Sequence, residues 1–114
     1  RAAAGALTDC PEERAACDPA GPRLQRVPDS LGLQLDCSPW LMRAICYSPI
    51  PYGMDPGYSE PWGDMFTDEY ESLWRRDLAL MQEMGANAVR LYSFKTSVRH
   101  LRFLDHAYEL KITV

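Results

Sequence analysis

The sequence predicts an α/β fold: the N-terminal fragment of a (β/α)8 TIM barrel, with parallel strands and crossover helices, preceded by a β-hairpin. Three observations carry this. Residues 40–47 and 86–93 are short apolar runs of strand character, two stretches of helical spacing follow them in alternation, and Ile112-Thr113-Val114 opens a further strand. Strands that alternate with helices of this length need crossover connections, which are right-handed and leave the strands parallel.

At the N-terminal end, residues 1–30 are rich in Ala, Pro and charge with no sustained apolar period, which reads as a disordered or linker segment with room for one short helix over 10–17. Residues 31–114 read as the hairpin plus the first βα units of the barrel. Leu31-Gly32-Leu33-Gln34-Leu35 alternates apolar with small or polar residues, Asp36-Cys37-Ser38-Pro39 is turn chemistry, and residues 40–47 form a second arm that runs on into the first barrel strand.

Residues 49–66 hold Pro49, Pro51, Gly53, Pro56, Gly57, Pro61 and Gly63 and predict a long irregular connection. Loops of this length are uncommon in a small domain unless they are functional or disordered. Thr67 can then cap a helix whose first turn carries Asp68, Glu69 and Glu71 against the positive dipole end. Tyr70, Leu73, Trp74, Leu78, Met81 and Met84 recur at helical spacing as its buried stripe, and Gly85 ends it. A second helix opens at Ser97, with Val98, Leu101, Leu104, Ala107 and Tyr108 as its apolar face.

Composition narrows the function. A net charge of −4 opposes a nucleic-acid or anionic-membrane partner, which would need a basic face. No apolar run nears the roughly 20 residues of a membrane-spanning helix. Four cysteines (Cys10, Cys17, Cys37, Cys46) show no CxxC spacing and no histidine completes a zinc set, so they leave three disulfide pairings or free thiols open, with a buried free thiol an equal alternative at Cys46. Three scattered glycines make no phosphate loop, and no metal or organic cofactor is implied. The chain has no initiating Met and stops inside a strand, which predicts a piece of a longer protein.

Arg90 is the most informative residue. In a strand, Val89 and Leu91 point one way and Ala88, Arg90 and Tyr92 the other. If the apolar pair meets the covering helices, Arg90 and Tyr92 face the barrel interior near the strand's carboxyl end, where such folds build sites. The alternative is a surface ion pair. The connection after the first strand adds Tyr52, Tyr58 and Trp62, interspersed with Asp55, Glu60 and Asp64. Flat rings stack on the apolar faces of sugars and carboxylates accept from hydroxyls; taken singly each ring reads better as a staple for its loop, and as a group at least one is expected to line the site. His100 and His106 read as surface or packing residues of the second helix.

Met42-Arg43-Ala44-Ile45-Cys46-Tyr47-Ser48-Pro49, Trp74-Arg75-Arg76-Asp77-Leu78 and Met84-Gly85-Ala86-Asn87-Ala88-Val89-Arg90-Leu91-Tyr92 together resemble the start of retaining glycoside hydrolases of clan A, and most of all the β-1,3-glucanosyltransferase family and its relatives. The resemblance covers about two-thirds of the chain. It departs from the family pattern at Ala44, where Gly is usual, and at Lys111, where Gly or Asn often precedes the third strand. It implies a glycosidase or transglycosylase acting on a polysaccharide, a β-glucan, at the cell surface or outside the cell. Arg90 would contact the catalytic nucleophile, and Tyr47, Tyr52, Trp62 and Tyr92 would bind substrate. The family's two catalytic glutamates lie on later strands, so the expectation is that this chain is inactive by itself. The other expectation weighed is a non-catalytic carbohydrate-binding barrel, and a third is an unrelated small α/β domain.

Overall fold

The computed structural model describes residues 17–28 and 30–114, and the chain divides into two units at 41/42. In the first unit, β1 (Leu24–Arg26), β2 (Leu33–Leu35) and β3 (Ser38–Trp40) form an antiparallel sheet in that order. Asp36 and Cys37 join β2 to β3 with φ of 49° and 62°. Two successive positive φ angles make the turn whose twist matches paired strands. Cys37 is disulfide-bonded to Cys17, and Arg23 holds Asp36 with two hydrogen bonds of 2.8 and 2.7 Å. That guanidinium keeps the Asp36 carboxyl below its ordinary range.

Two expectations change here. β1 lies inside the stretch read as linker, because its residues find a partner strand in β2 that local composition does not reveal. The hairpin's second arm ends at Trp40 and does not run on into the next strand. The helix read over 10–17 lies outside the described residues, except for Cys17.

The second unit runs β4 (Ala44–Tyr47), a long connection, a 3-10 turn (Asp68–Tyr70), α1 (Glu71–Glu83), β5 (Ala88–Leu91) and α2 (Leu101–Glu109). β4 and β5 pair in parallel with Ile45 opposite Val89 and Cys46 opposite Arg90, and one parallel bridge joins Ala88 to Thr113. Asn87 stitches the strand starts: its side-chain oxygen accepts from the Arg43 amide at 2.7 Å, its amide donates to the Arg43 carbonyl, and its carbonyl accepts from Thr113.

The expected N-terminal fragment of a TIM barrel is not what the described residues form. The described chain has two helices and two small sheets, one antiparallel with three strands and one parallel with two. Barrel closure requires a full circle of strands, each paired on both edges with the register staggered around the axis. Here the parallel sheet has two strands and a single bridge, and its partner layer is a pair of helices on one face. The alternation of strand and helix is a local property and does not count strands or close them.

That covered face builds the core. Ile45 and Tyr47 from β4 and Val89 and Leu91 from β5 pack with Trp74, Leu78 and Met81 of α1, Phe103 and Ala107 of α2, and Phe66 and Ile112. Trp74 meets Phe103 edge-on with centroids 5.6 Å apart, and Phe66 lies 5.1 Å from Phe103. Such aromatic pairs add roughly 0.5–1.5 kcal/mol each beyond buried area.

α1 starts after the 3-10 turn, and Thr67 makes no side-chain cap. α1 ends as a Schellman motif, in which Gly85 (φ 85°) donates to the Gln82 carbonyl and Ala86 to that of Met81. α2 begins at Leu101, four residues later than expected, and its inward face is Phe103 and Ala107. Val98, Leu101, Leu104 and Tyr108 are exposed, which corrects the face assigned from spacing. Met84 is likewise exposed.

Candidate functional site

The face of the parallel sheet opposite the helices carries Ala44, Cys46 and Arg90 exposed, with Tyr92 just past the strand end. Alternation places them there: once Val89 and Leu91 enter the core, Arg90 must point the other way. The Arg90 guanidinium lies over the Tyr92 ring, 5.3 Å from its centroid. Among the described residues no carboxylate comes within ion-pair distance of Arg90. The Tyr92 hydroxyl donates to Cys46 Sγ at 3.5 Å. That hydrogen bond raises the phenol's pKa above its ordinary value, and the Arg90 charge pulls against it. Cys46 is a free thiol, exposed where the sequence had left a buried one open.

Two connections leave the carboxyl ends of these strands, residues 48–66 after β4 and 92–100 after β5. Ligands of parallel α/β sheets bind at this end, because the loops there diverge and backbone groups stay unpaired. Three ties join the connections. Lys95 Nζ meets Glu60 Oε2 at 2.8 Å, and that hydrogen bond, helped by one from Trp62, holds the Glu60 carboxyl below its usual range. Gly63, at φ 83°, sits so close to Ser93 that a Cβ on it would lie 3.0 Å from Ser93 Oγ. The Asp64 carboxylate accepts from His100 Nε2 at 2.8 and 2.9 Å and from the Lys95 amide at 3.2 Å.

The sequence-nominated rings separate into groups. Tyr52 is fully exposed, Tyr58 nearly so, and Trp62 (43%) and Tyr92 (41%) are half-open. Trp62 takes φ 57°, a left-handed conformation that non-glycine residues seldom adopt. Tyr47 does not join them: it is 6% exposed in the helix-facing core, 5.8 Å from the Phe66 ring, and its hydroxyl donates to Asp77 Oδ2 at 2.8 Å. Its position follows from the same alternation that turns Arg90 outward, since Tyr47 shares the parity of Ile45.

Asp64, named in the sequence as one of the loop acids, and His100, read as a surface or packing residue of the second helix, form a pair that the sequence does not reveal. Both are almost fully buried, and the His100 ring also stacks on Phe94 with centroids 4.0 Å apart. They are 36 positions apart, and the available signal was only an acid flanked by Gly63 and Met65 at the end of a proline-rich loop.

No family model matches the sequence, and no curated protein or solved structure matches it. Among the described residues no three His, Cys, Asp or Glu side chains group to hold a metal ion, and no helix is long and apolar enough to cross a membrane.

Proposed function

We propose that this chain binds polysaccharide at the carboxyl ends of its parallel strands, as a part of a retaining glycoside hydrolase or transglycosylase acting on β-glucan. The observation that carries the reading is the Arg90–Tyr92 pair: an exposed guanidinium without a carboxylate partner among the described residues, lying on an exposed ring at a parallel strand end. Trp62 and Tyr52 on the neighbouring connection add flat, exposed surface of the kind that stacks on pyranose faces.

In this reading Tyr92 and Trp62 contact sugar rings. Arg90 offers donors to hydroxyls and a positive field to a carboxylate nucleophile, keeping it ionised. Retaining hydrolysis needs two carboxyls about 5–5.5 Å apart across the scissile bond, and neither role is assigned to a residue of this chain. The reaction type rests on the resemblance of residues 84–92 to the glucanosyltransferases.

A second reading, carbohydrate binding without hydrolysis, draws on the acids themselves. Asp64 is committed to His100, Glu60 to Lys95 and Asp77 to Tyr47 and Arg76. None of these is a free acid beside Arg90.

Affinity electrophoresis in soluble β-1,3-glucan tests the binding, comparing the parent chain with Arg90→Ala and Trp62→Ala. Each substitution should weaken retention about tenfold, the effect of losing ~1.4 kcal/mol of binding. Retention equal to the parent's in both variants removes the sugar site. Release of reducing ends from the same glucan, by a protein that contains this chain, separates hydrolysis from binding alone.

A further inference from the structure

We propose that Asp64 and His100 are positioning residues for the strand-end site, a buried clasp that holds the two connections together so that Trp62 and Tyr92 present their rings side by side to a sugar chain. The inference rests on the carbohydrate reading for its ligand, but not for its mechanics.

The geometry runs from the inside out. Asp64 is 1% exposed and His100 4%, and a carboxylate taken so far from water is tolerated only when its lone pairs are filled. His100 Nε2 lies within 2.9 Å of both oxygens, and the Lys95 and Phe66 amides approach at 3.2 and 3.4 Å. Those donors come from both connections. The acid belongs to the loop after β4, whereas His100 and Lys95 belong to the loop after β5. One buried group therefore fixes the spacing of two segments that have no ladder hydrogen bonds of their own.

Next to Asp64 in the chain is the Gly63–Ser93 contact, where a Cβ on Gly63 would lie 3.0 Å from Ser93 Oγ and 3.1 Å from its Cβ. Trp62 precedes Gly63 and Tyr92 precedes Ser93, so the same joint sets the two rings on adjacent chain paths. Trp62 and Ser93 both hold positive φ, 57° and 60°. Conformations of that kind cost about 1–3 kcal/mol each and persist where surrounding contacts impose them. The outermost tie, Lys95 to Glu60, is solvent-exposed and contributes little by itself. The buried pair must do the holding.

His100→Gln and His100→Asn separate positioning from bulk stability, because they carry the same amide and only glutamine is long enough to place its nitrogen where Nε2 lies. Two readouts apply: retention on soluble β-1,3-glucan, and hydrogen exchange of the Lys95 amide set against the amides of α1. The expected result is about tenfold weaker retention and faster Lys95 exchange in His100→Asn, with α1 protection kept, and both near parent values in His100→Gln. Asp64→Ala should behave as His100→Asn. The clasp is overturned if Lys95 exchange or glucan retention in His100→Asn equals the parent's, or if α1 loses protection together with Lys95 in either histidine variant, which makes the pair a general core element. If the parent chain itself shows no retention, the carbohydrate reading falls, and the Lys95 comparison still decides whether the clasp holds the loops.

Discussion

The Tyr47 hydroxyl donates to Oδ2 of Asp77 across 2.8 Å, pinning the end of β4 to the middle of α1. Burial of the ring, reinforced by this bond to a carboxylate, drives the phenol's pKa far above its ordinary value of about 10.

A phenol whose ionisation is resisted only in the folded state stabilises the fold fully below about pH 10 and loses that contribution as pH climbs further, because the unfolded chain ionises first. Tyr47→Phe should therefore lower stability by about 0.5–1.5 kcal/mol near neutral pH. It should also flatten the loss of stability above about pH 10, where each ionising group adds up to ~1.36 kcal/mol per pH unit. Urea melts at neutral pH and at alkaline pH measure both. Parallel alkaline limbs in the two proteins would contradict the assignment.

Gly63 is required by its conformation and by Ser93. Gly63→Ala should destabilise by about 1–3 kcal/mol, from the positive φ and from a Cβ pressed to 3.1 Å of the Ser93 Cβ. Ser93→Gly removes that clash and relieves the strain of its own positive φ. The double variant should then be more stable than the sum of the single effects by about 0.5 kcal/mol or more. Strict additivity in a double-mutant cycle would mean that the two connections do not meet at this point.

Lys111 occupies the left-handed position that follows α2, at φ 58°, where it donates to the Tyr108 carbonyl and Ile112 to that of Ala107. The arrangement repeats the one at the end of α1, where Gly85 stands. Lys111→Gly should raise stability by about 0.5–1 kcal/mol, as relief of the left-handed strain outweighs the extra freedom glycine gives the unfolded chain. Thermal unfolding detects this directly, and a lower midpoint would show that the Lys111 side chain contributes more than its backbone costs.

Legibility followed the range of each interaction. The first helix was readable because its apolar residues repeat along one element, and Gly85 marked its end by backbone geometry alone, although its start at Glu71 lies past the expected Thr67 cap. The direction of Arg90 was readable for the same reason: strand alternation forces it once Val89 and Leu91 are assigned inward. The inward face of α2 was misread, since Leu101, Leu104 and Tyr108 have the right spacing and only contact with Trp74 and Phe66 selects Phe103 in their place. Tyr47 is a site ring only by the resemblance, which puts it at the end of the first strand, whereas its strand parity assigns it to the core.

What residue order settled unaided was local: the end of the first helix at Gly85 and the alternation of faces along the strands, both governed by neighbours a few positions away. The strand pairing among the described residues, the Cys17–Cys37 bond and the Asp64–His100 pair were settled only by three-dimensional packing. Each depends on which distant groups share a desolvated space, and a buried carboxylate finds its partner through the cost of remaining unpaired, which no sequence spacing encodes.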